Sequence, residues 1–138
     1  LMGQRRRARE HALQGLYMYE VGKAPVRSII QFEWIDGEVQ DEVKDFAIKL
    51  IEGTVSNIEK IDLLIRDYSK NWKPERLSVI DKSILRLAIF EMLYIAEIPT
   101  VVTINESIEL GKTFGGENSG QFINGILDAV RKNELGEE

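Results

Sequence analysis

The sequence predicts an all-α fold, and three observations predict it. Apolar residues recur at spacings of three and four almost throughout the chain, which is the period of an amphipathic helix. Strict alternation of apolar and polar residues, the pattern of a half-buried strand, is nearly absent. The 138 residues suffice for one domain with a sizeable core, and 43% hydrophobic with 30% charged residues is typical of a globular protein.

The first two helices are predicted before residue 40. The first runs from about Gln4 to Val21, and Gly22 ends it. A short second helix begins at Pro25, because proline suits the first helical position, and Asp36-Gly37 then forms a turn. The apolar face of the first helix carries Ala8, Ala12, Leu16 and Tyr19.

The apolar stripe over 39–68 is long for a single globular helix. We therefore expect a break near 53–57, where Ser56 or Asn57 can cap the next helix. The connection that follows lies at 71–74, since Pro74 cannot sit inside a helix.

Three helices are predicted in the second half of the chain. Ser78 and Asp81 form a variant of the capping box and open an apolar helix over 79–96. Thr103 and Glu106 repeat this device, although the β-branched run at 101–104 is also compatible with a strand.

The last helix is predicted over 119–133, which gives about seven helices in a single domain over 1–138. Residues 1–3 and 134–138 are predicted to be disordered.

Charge is unevenly placed along the chain. The formal net charge is -5, yet residues 1–10 carry Arg5, Arg6, Arg7 and Arg9 against Glu10, a balance of +3. A basic tip on an acidic body indicates one localised anion-binding surface.

The arginines also disfavour a helix start, because cations in a first turn oppose the helix macrodipole. At 100° per residue, Arg5 and Arg9 share a face with Ala12 and Leu16, so we expect this turn to project beyond the core. The planar guanidinium suits phosphate and stacked bases. A solvated, frayed terminus is the alternative interpretation.

The second candidate site is the glycine-rich corner at 113–122. Asn118 or Ser119 can cap the last helix and leave backbone N–H groups that attract an anion. Phe122, in the first turn of that helix, can stack on an unpaired base. The alternative is a plain helix–loop–helix corner with Phe114 and Phe122 in the core.

Enzyme and metal functions are disfavoured by the residue inventory. The chain has no cysteine and one histidine, His11, which excludes disulfides, thiolate metal sites and multi-histidine relays. Glu91 lies on an apolar stripe, but no spacing supplies a catalytic partner, so a structural role is favoured. Tyr17 lies beside Arg6 in helical angle and can extend the basic surface, although it can equally be half buried, as can Tyr68.

Neither a secretory signal nor a membrane span is predicted. The basic residues 1–10 are followed by no apolar run, and Arg86, Glu91 and Glu97 interrupt the most apolar stretch, 84–98. We therefore expect a cytoplasmic protein.

These features occur together in one known family. RRRARE at 5–10 with ALQGLY at 12–17 resembles the opening helix of the NusB family of transcription antitermination factors. DKSILRLA at 81–88 with Glu91, then Pro99 and INESIEL at 104–110, is similar to the family's middle. FINGILD at 122–128, preceded by Lys112, Phe114-Gly115 and Ser119, resembles its closing motif.

The resemblance implies two small helical bundles packed together, with no cofactor and no catalytic residue. It implies binding of single-stranded boxA RNA, including ribosomal RNA leaders, together with the ribosomal protein NusE. Through NusE it implies attachment to the elongating RNA polymerase and other Nus factors. The RNA-binding residues it implies are Arg5, Arg6, Arg7, Arg9, Tyr17, Phe114, Asn118, Ser119, Gln121 and Phe122. The NusE-binding residues it implies are Glu75, Asp81 and Arg86.

The sequence departs from the family pattern at two positions of the corner. Family members often carry an acidic residue where Asn118 stands and a lysine where Gln121 stands, so the two changes act oppositely on RNA affinity. A homodimer remains open, as do two other functions. One is an accessory to RNA modification, since NusB-like domains also precede ribosomal RNA methyltransferases. The other is a protein adaptor in which the arginines are incidental.

Overall fold

The computed structural model describes residues 3–70 and 77–138, and within those ranges it contains seven helices and no strand. The all-α prediction is confirmed. The helices are α1 Gly3–Gly22, α2 Val26–Ile29, α3 Asp41–Ser56, α4 Ile58–Tyr68, α5 Val79–Tyr94, α6 Thr100–Phe114 and α7 Ser119–Glu134. The predicted connection at 71–74 lies outside the described residues.

The most buried helix is α5. It packs against α1, α3, α4, α6 and α7, and every residue from Ser83 to Met92 is buried. On one side of α5, α1 packs mainly against α3. On the other side, α6 and α7 pack against each other. Both groups contribute to one continuous apolar core.

Helix α5 begins where the sequence predicts. Ser78 is its N-cap, and the Ser78 hydroxyl accepts a hydrogen bond of 3.0 Å from the backbone N–H of Asp81. The helix ends at Tyr94, two residues before the predicted end at Ala96. The cap is confirmed because a serine at this position satisfies a donor that the helix leaves free.

The break between α3 and α4 also lies where it is predicted. Asn57 occupies the junction, but its side chain does not cap α4. Its amide Nδ2 instead donates to the carbonyl of Gly53 at 2.8 Å, and so satisfies the C-terminal end of α3.

The predicted start of α6 is wrong. The helix begins at Thr100, directly after Pro99, so the β-branched residues 101–104 are helical. Thr103 is not a cap, because its hydroxyl is buried inside the helix and donates to the carboxylate of Glu91 at 3.0 Å. A tertiary contact thus uses the side chain that the sequence pattern assigned to a local cap.

Candidate nucleic-acid interface

The arginine-rich turn of α1 does not project beyond the core. Arg9 is only 5% exposed, and its guanidinium forms a two-point ion pair with the carboxylate of Glu91 on α5. One bond joins Arg9 Nε to Glu91 Oε2 at 3.1 Å, and the other joins Nη2 to Oε1. Arg9 was predicted to bind RNA, but in this structure it is not accessible to a phosphate.

Glu91 has the structural role that its position on an apolar stripe predicts. Its partners are Arg9 and the hydroxyl of Thr103 rather than neighbouring backbone N–H groups. A buried carboxylate needs such partners, because burying a charge alone costs several kcal/mol. The three side chains therefore tie α1, α5 and α6 together.

Arg6 is bound on one edge and open on the other. Its Nε and Nη2 donate to the two carboxylate oxygens of Glu106 on α6 at 3.0 and 2.8 Å, while 40% of its side chain remains exposed. These hydrogen bonds raise the pKa of Arg6 and hold the pKa of Glu106 below its ordinary value. Arg9 Nη1 approaches the same carboxylate at 3.9 Å.

The other two arginines of the turn are exposed. The guanidinium carbon of Arg5 lies 4.9 Å from the ring centroid of Phe46 on α3, a cation–π contact. Arg7 forms no hydrogen bond or ion pair with any residue that the structure describes. Tyr17, further along α1, is 41% exposed. The cationic surface of α1 therefore consists of Arg5, Arg6 and Arg7.

The corner between α6 and α7 separates the two predicted aromatic residues. Phe114 is 42% exposed, whereas Phe122 is 8% exposed and packs in the core. The prediction that Phe122 stacks on a base is not met in this structure, because Phe122 lies on the buried stripe of α7 with Ile123 and Ile126. Of the pair, only Phe114 presents its ring to solvent.

Ser119 holds the corner closed. Its hydroxyl accepts a hydrogen bond of 2.8 Å from the backbone N–H of Gly116, and the residue is buried. A Cβ on Gly115 would lie 2.4 Å from that hydroxyl, so the close approach requires glycine. Ser119 was predicted to contact RNA, but its side chain is engaged within the corner. Asn118 is the N-cap of α7, without a side-chain cap bond, and both Asn118 and Gln121 are exposed.

The arginine turn and the corner lie along α6. A cleft between α1 and α6 is lined by Arg6, Arg9, Glu10, Glu106, Glu109, Leu110 and Thr113. A second cleft, between α6 and α7, is lined by residues of the corner that include Lys112, Gly116, Gln121 and Asn124. Both clefts are lined by basic and acidic side chains, so the surface is not uniformly positive.

The predicted partner residues differ in their accessibility. Glu75 lies outside the described residues. Asp81 is partly exposed in the first turn of α5. Arg86 is 3% exposed, and it donates to Asp62 on α4 and to Glu20 on α1 over distances of 2.7–2.8 Å. The prediction that Arg86 contributes to a partner surface is corrected, because its donors are used inside the fold.

The sequence patterns missed two residues of this face, Glu106 and Phe46, which hold Arg6 and Arg5. Glu106 was interpreted as part of a helix cap, and Phe46 as one more residue of an apolar stripe. The sequence signal for Glu106 was the excess of acidic over basic residues outside the arginine-rich turn. The spacing along the chain does not show that Glu106 pairs with Arg6.

Two further observations concern other classes of site. Among residues 3–70 and 77–138, no group of three or more His, Cys, Asp or Glu side chains is placed to hold a metal ion. None of the helices in that part of the chain combines the length and the apolar character needed to cross a membrane.

The fold and this face define a class: an all-helical protein with an exposed cationic turn beside a glycine-rich corner. The NusB family model matches residues 6–132, and the chain belongs to the NusB family. Its members are non-catalytic transcription antitermination factors, so this protein is not an enzyme.

Known relatives cover nearly the whole chain. A transcription antitermination protein NusB of Syntrophus aciditrophicus is 49% identical over 129 residues, which are 94% of this chain and 80% of the relative. The structure of T. maritima NusB superposes with a TM-score of 0.85 at 40% identity, over 94% of this chain and 91% of that one. A NusB crystallised with NusE and double-stranded RNA has a TM-score of 0.78 at 24% identity, over 96% and 98% of the two chains, and shows the common fold.

Proposed function

We propose that this protein is an antitermination factor that binds single-stranded boxA RNA of nascent ribosomal RNA transcripts together with NusE. In this proposal it acts in the cytoplasm and couples that RNA to the elongating RNA polymerase and other Nus factors. The observation that carries the proposal is that Arg6 lines a cleft between α1 and α6 and Gln121 lines a cleft between α6 and α7, with Arg7 and Phe114 exposed.

The chemistry proposed for this face is binding alone. Arg5, Arg6 and Arg7 neutralise phosphates, the ring of Phe114 stacks on an unpaired base, and the amides of Asn118 and Gln121 reach base edges. Tyr17 extends the surface along α1. Arg9, Ser119 and Phe122 support the surface from beneath.

Of the residues predicted to bind NusE, Asp81 is accessible in the described part of the chain, and Glu75 stays a prediction. The NusB that was crystallised with NusE and RNA makes NusE the first partner to test. The RNA in that crystal is double-stranded, so duplex RNA must be tested beside single-stranded boxA.

A protein adaptor without RNA is the second candidate. It is favoured by one observation: carboxylates of the protein itself engage two of the four arginines of the turn, Arg6 and Arg9. This candidate predicts NusE binding that is insensitive to charge reversal at Arg5 and Arg7.

Fluorescence anisotropy of labelled RNA separates the two candidates. Single-stranded boxA, a scrambled strand of the same length and a boxA duplex are each titrated with the protein, with and without NusE. Selective binding of single-stranded boxA that NusE strengthens supports the proposal. Equal, weak binding of all three RNAs would contradict it and favour the adaptor. The oligomeric state is read from the same samples by light scattering, since homodimerisation is also open.

A further inference from the structure

We propose that Glu106 is a positioning residue for RNA binding: its carboxylate fixes the Arg6 guanidinium so that the free edge of the fork faces an RNA phosphate. This inference rests on the proposed function and adds to it the contact that orders the Arg6 side chain.

The geometry of the ion pair leaves half of the Arg6 fork available. Glu106 occupies Nε and Nη2, which form one edge of the guanidinium. The other edge, formed by Nη1 and the second hydrogen of Nη2, has no hydrogen-bond partner among the described residues. An arginine has five donors in a rigid plane, so one edge can bind a carboxylate while the other binds a phosphate in two-point geometry.

The surroundings of Glu106 favour positioning over simple charge neutralisation. Its carboxylate is less exposed than Arg6, at 20% against 40% of the side chain, so the acid lies deeper and the arginine lies on the solvent side. Arg9, fixed by Glu91, approaches Glu106 at 3.9 Å and helps to hold it in place. The buried Arg9–Glu91 pair thus holds Glu106 in place, and Glu106 in turn holds Arg6 at the proposed RNA-binding surface.

Removal of the Glu106 carboxylate has two opposite effects on RNA affinity. As a negative charge near bound RNA, Glu106 repels phosphate, so its removal should tighten binding. As the anchor of Arg6, it reduces the side-chain entropy lost on binding, so its removal should weaken binding. We expect the second effect to exceed the first, because the Arg6 edge is bound directly by the carboxylate.

The test is a charge-matched pair of variants, Glu106→Gln and Glu109→Gln. Both remove one negative charge from α6, but Glu109 pairs with Lys112 at 3.8 Å and forms no hydrogen bond with Arg6. At low salt, Glu109→Gln should tighten binding of single-stranded boxA about twofold, because it removes a repelling charge and releases Lys112 while the Glu106–Arg6 hydrogen bonds stay in place. Glu106→Gln should weaken binding about threefold to tenfold.

Two further measurements exclude a general structural effect. In an Arg6→Ala background, Glu106→Gln should no longer weaken binding and should tighten it as Glu109→Gln does. In the free protein, the NMR signal of the Arg6 Nε–H should be shifted and slow to exchange, and Glu106→Gln should abolish both properties while the melting temperature stays within a few degrees.

Tighter binding by Glu106→Gln, or an equal effect of both variants, would overturn the positioning role. If the wild-type protein binds no RNA, the proposed function fails, and this inference fails with it. If the wild-type protein binds boxA selectively but the variants do not differ, the inference alone fails.

Discussion

Arg9 and Glu91 form a buried two-point ion pair that joins α1 to α5, with Nε and Oε2 3.1 Å apart. Each residue lies on the apolar stripe of its helix, and Glu91 also accepts a hydrogen bond from Thr103 at 3.0 Å. The pair therefore anchors the base of the arginine turn to the middle of the core.

Breaking this pair from one side should destabilise the protein strongly. Glu91→Leu removes the hydrogen-bonded counter-charge of the buried Arg9 and leaves it the carboxylate of Glu106, 3.9 Å away, so it should cost about 3 kcal/mol of unfolding free energy. The double variant Arg9→Met/Glu91→Leu should recover most of that loss, since a packed apolar pair replaces the ions. Urea unfolding measures all three proteins. Glu97→Gln, which removes an exposed pair with Lys49, is the control and should change stability by less than about 1 kcal/mol. A small loss for Glu91→Leu would mean that the pair is not isolated from water.

Two glycines should respond in opposite ways to alanine. A Cβ on Gly53 would lie 2.0 Å from Cζ of Phe90, so Gly53→Ala forces α3 away from α5 and should cost about 1–3 kcal/mol. Gly125 lies within α7, and no atom of the described residues lies within 4 Å of the added Cβ, so Gly125→Ala should stabilise the helix by up to about 1 kcal/mol. Thermal unfolding of both variants checks the sign, and loss of stability in both would show that α7 is packed differently.

Variants of Asp81 and Arg86 should separate the effect on NusE binding from the effect on stability. Arg86→Ala leaves Asp62 and Glu20 without their shared cation and should cost about 1.5–3 kcal/mol of stability. Asp81→Lys changes a partly exposed residue in the first turn of α5, so it should weaken NusE binding and cost only about 1 kcal/mol of stability, because a cation there opposes the helix macrodipole. Calorimetric titration with NusE and urea unfolding measure the two properties. Full-strength NusE binding by Asp81→Lys would remove this residue from the proposed partner surface.

His11 should make the protein less stable as the pH falls through the mildly acidic range. Burial lowers the pKa of His11, its Nδ1 has no hydrogen-bond partner among the residues that the structure describes, and the rings of Phe32 and Trp34 lie 6.3 and 6.5 Å away. The unfolded chain takes up a proton near the ordinary value of about 6.5, and the folded chain does so only at lower pH. Stability is therefore complete above pH ~6.5 and is lost as the pH falls towards the folded pKa.

The urea midpoint between pH 7.5 and 5.5 measures this effect. It should fall for the wild-type protein and stay level for His11→Phe. The pKa values of Glu20, Glu106 and Asp128 are held below their ordinary values by arginine partners, so these groups stay charged in this range. An equal fall in His11→Phe would assign the effect to another group.

The helical pattern was predictable because it depends on local periodicity, as the boundaries of α5 and α7 illustrate. The site was less predictable, because a charged residue on an apolar stripe either pairs inside the core or reaches solvent. Arg9 and Glu91 were each recognised as exceptions, but a sequence pattern does not state which residues meet across helices. Their opposite charges at buried positions were the signal for a pair. The start of α6 was misplaced for the same reason, because Thr103 binds Glu91 rather than the end of its own helix.

Phe114 and Phe122 illustrate the limit at the corner. Seven residues separate them, and both are aromatic residues of the glycine-rich corner, yet one is exposed and the other is buried. The difference depends on how Ser119 closes the corner, which no local propensity describes.

The salt dependence of RNA affinity tests most directly the claim that the exposed arginines of α1 bind the RNA backbone. For single-stranded RNA, each phosphate contact contributes about -0.7 to the slope of log affinity against log salt. Arg6→Ala/Arg7→Ala should therefore weaken boxA binding and flatten the slope by about 1.4. Arg27→Ala, which removes an exposed arginine on α2, should leave it unchanged. A slope that stays the same in the double variant would contradict the assignment of the arginine turn as the RNA-binding surface.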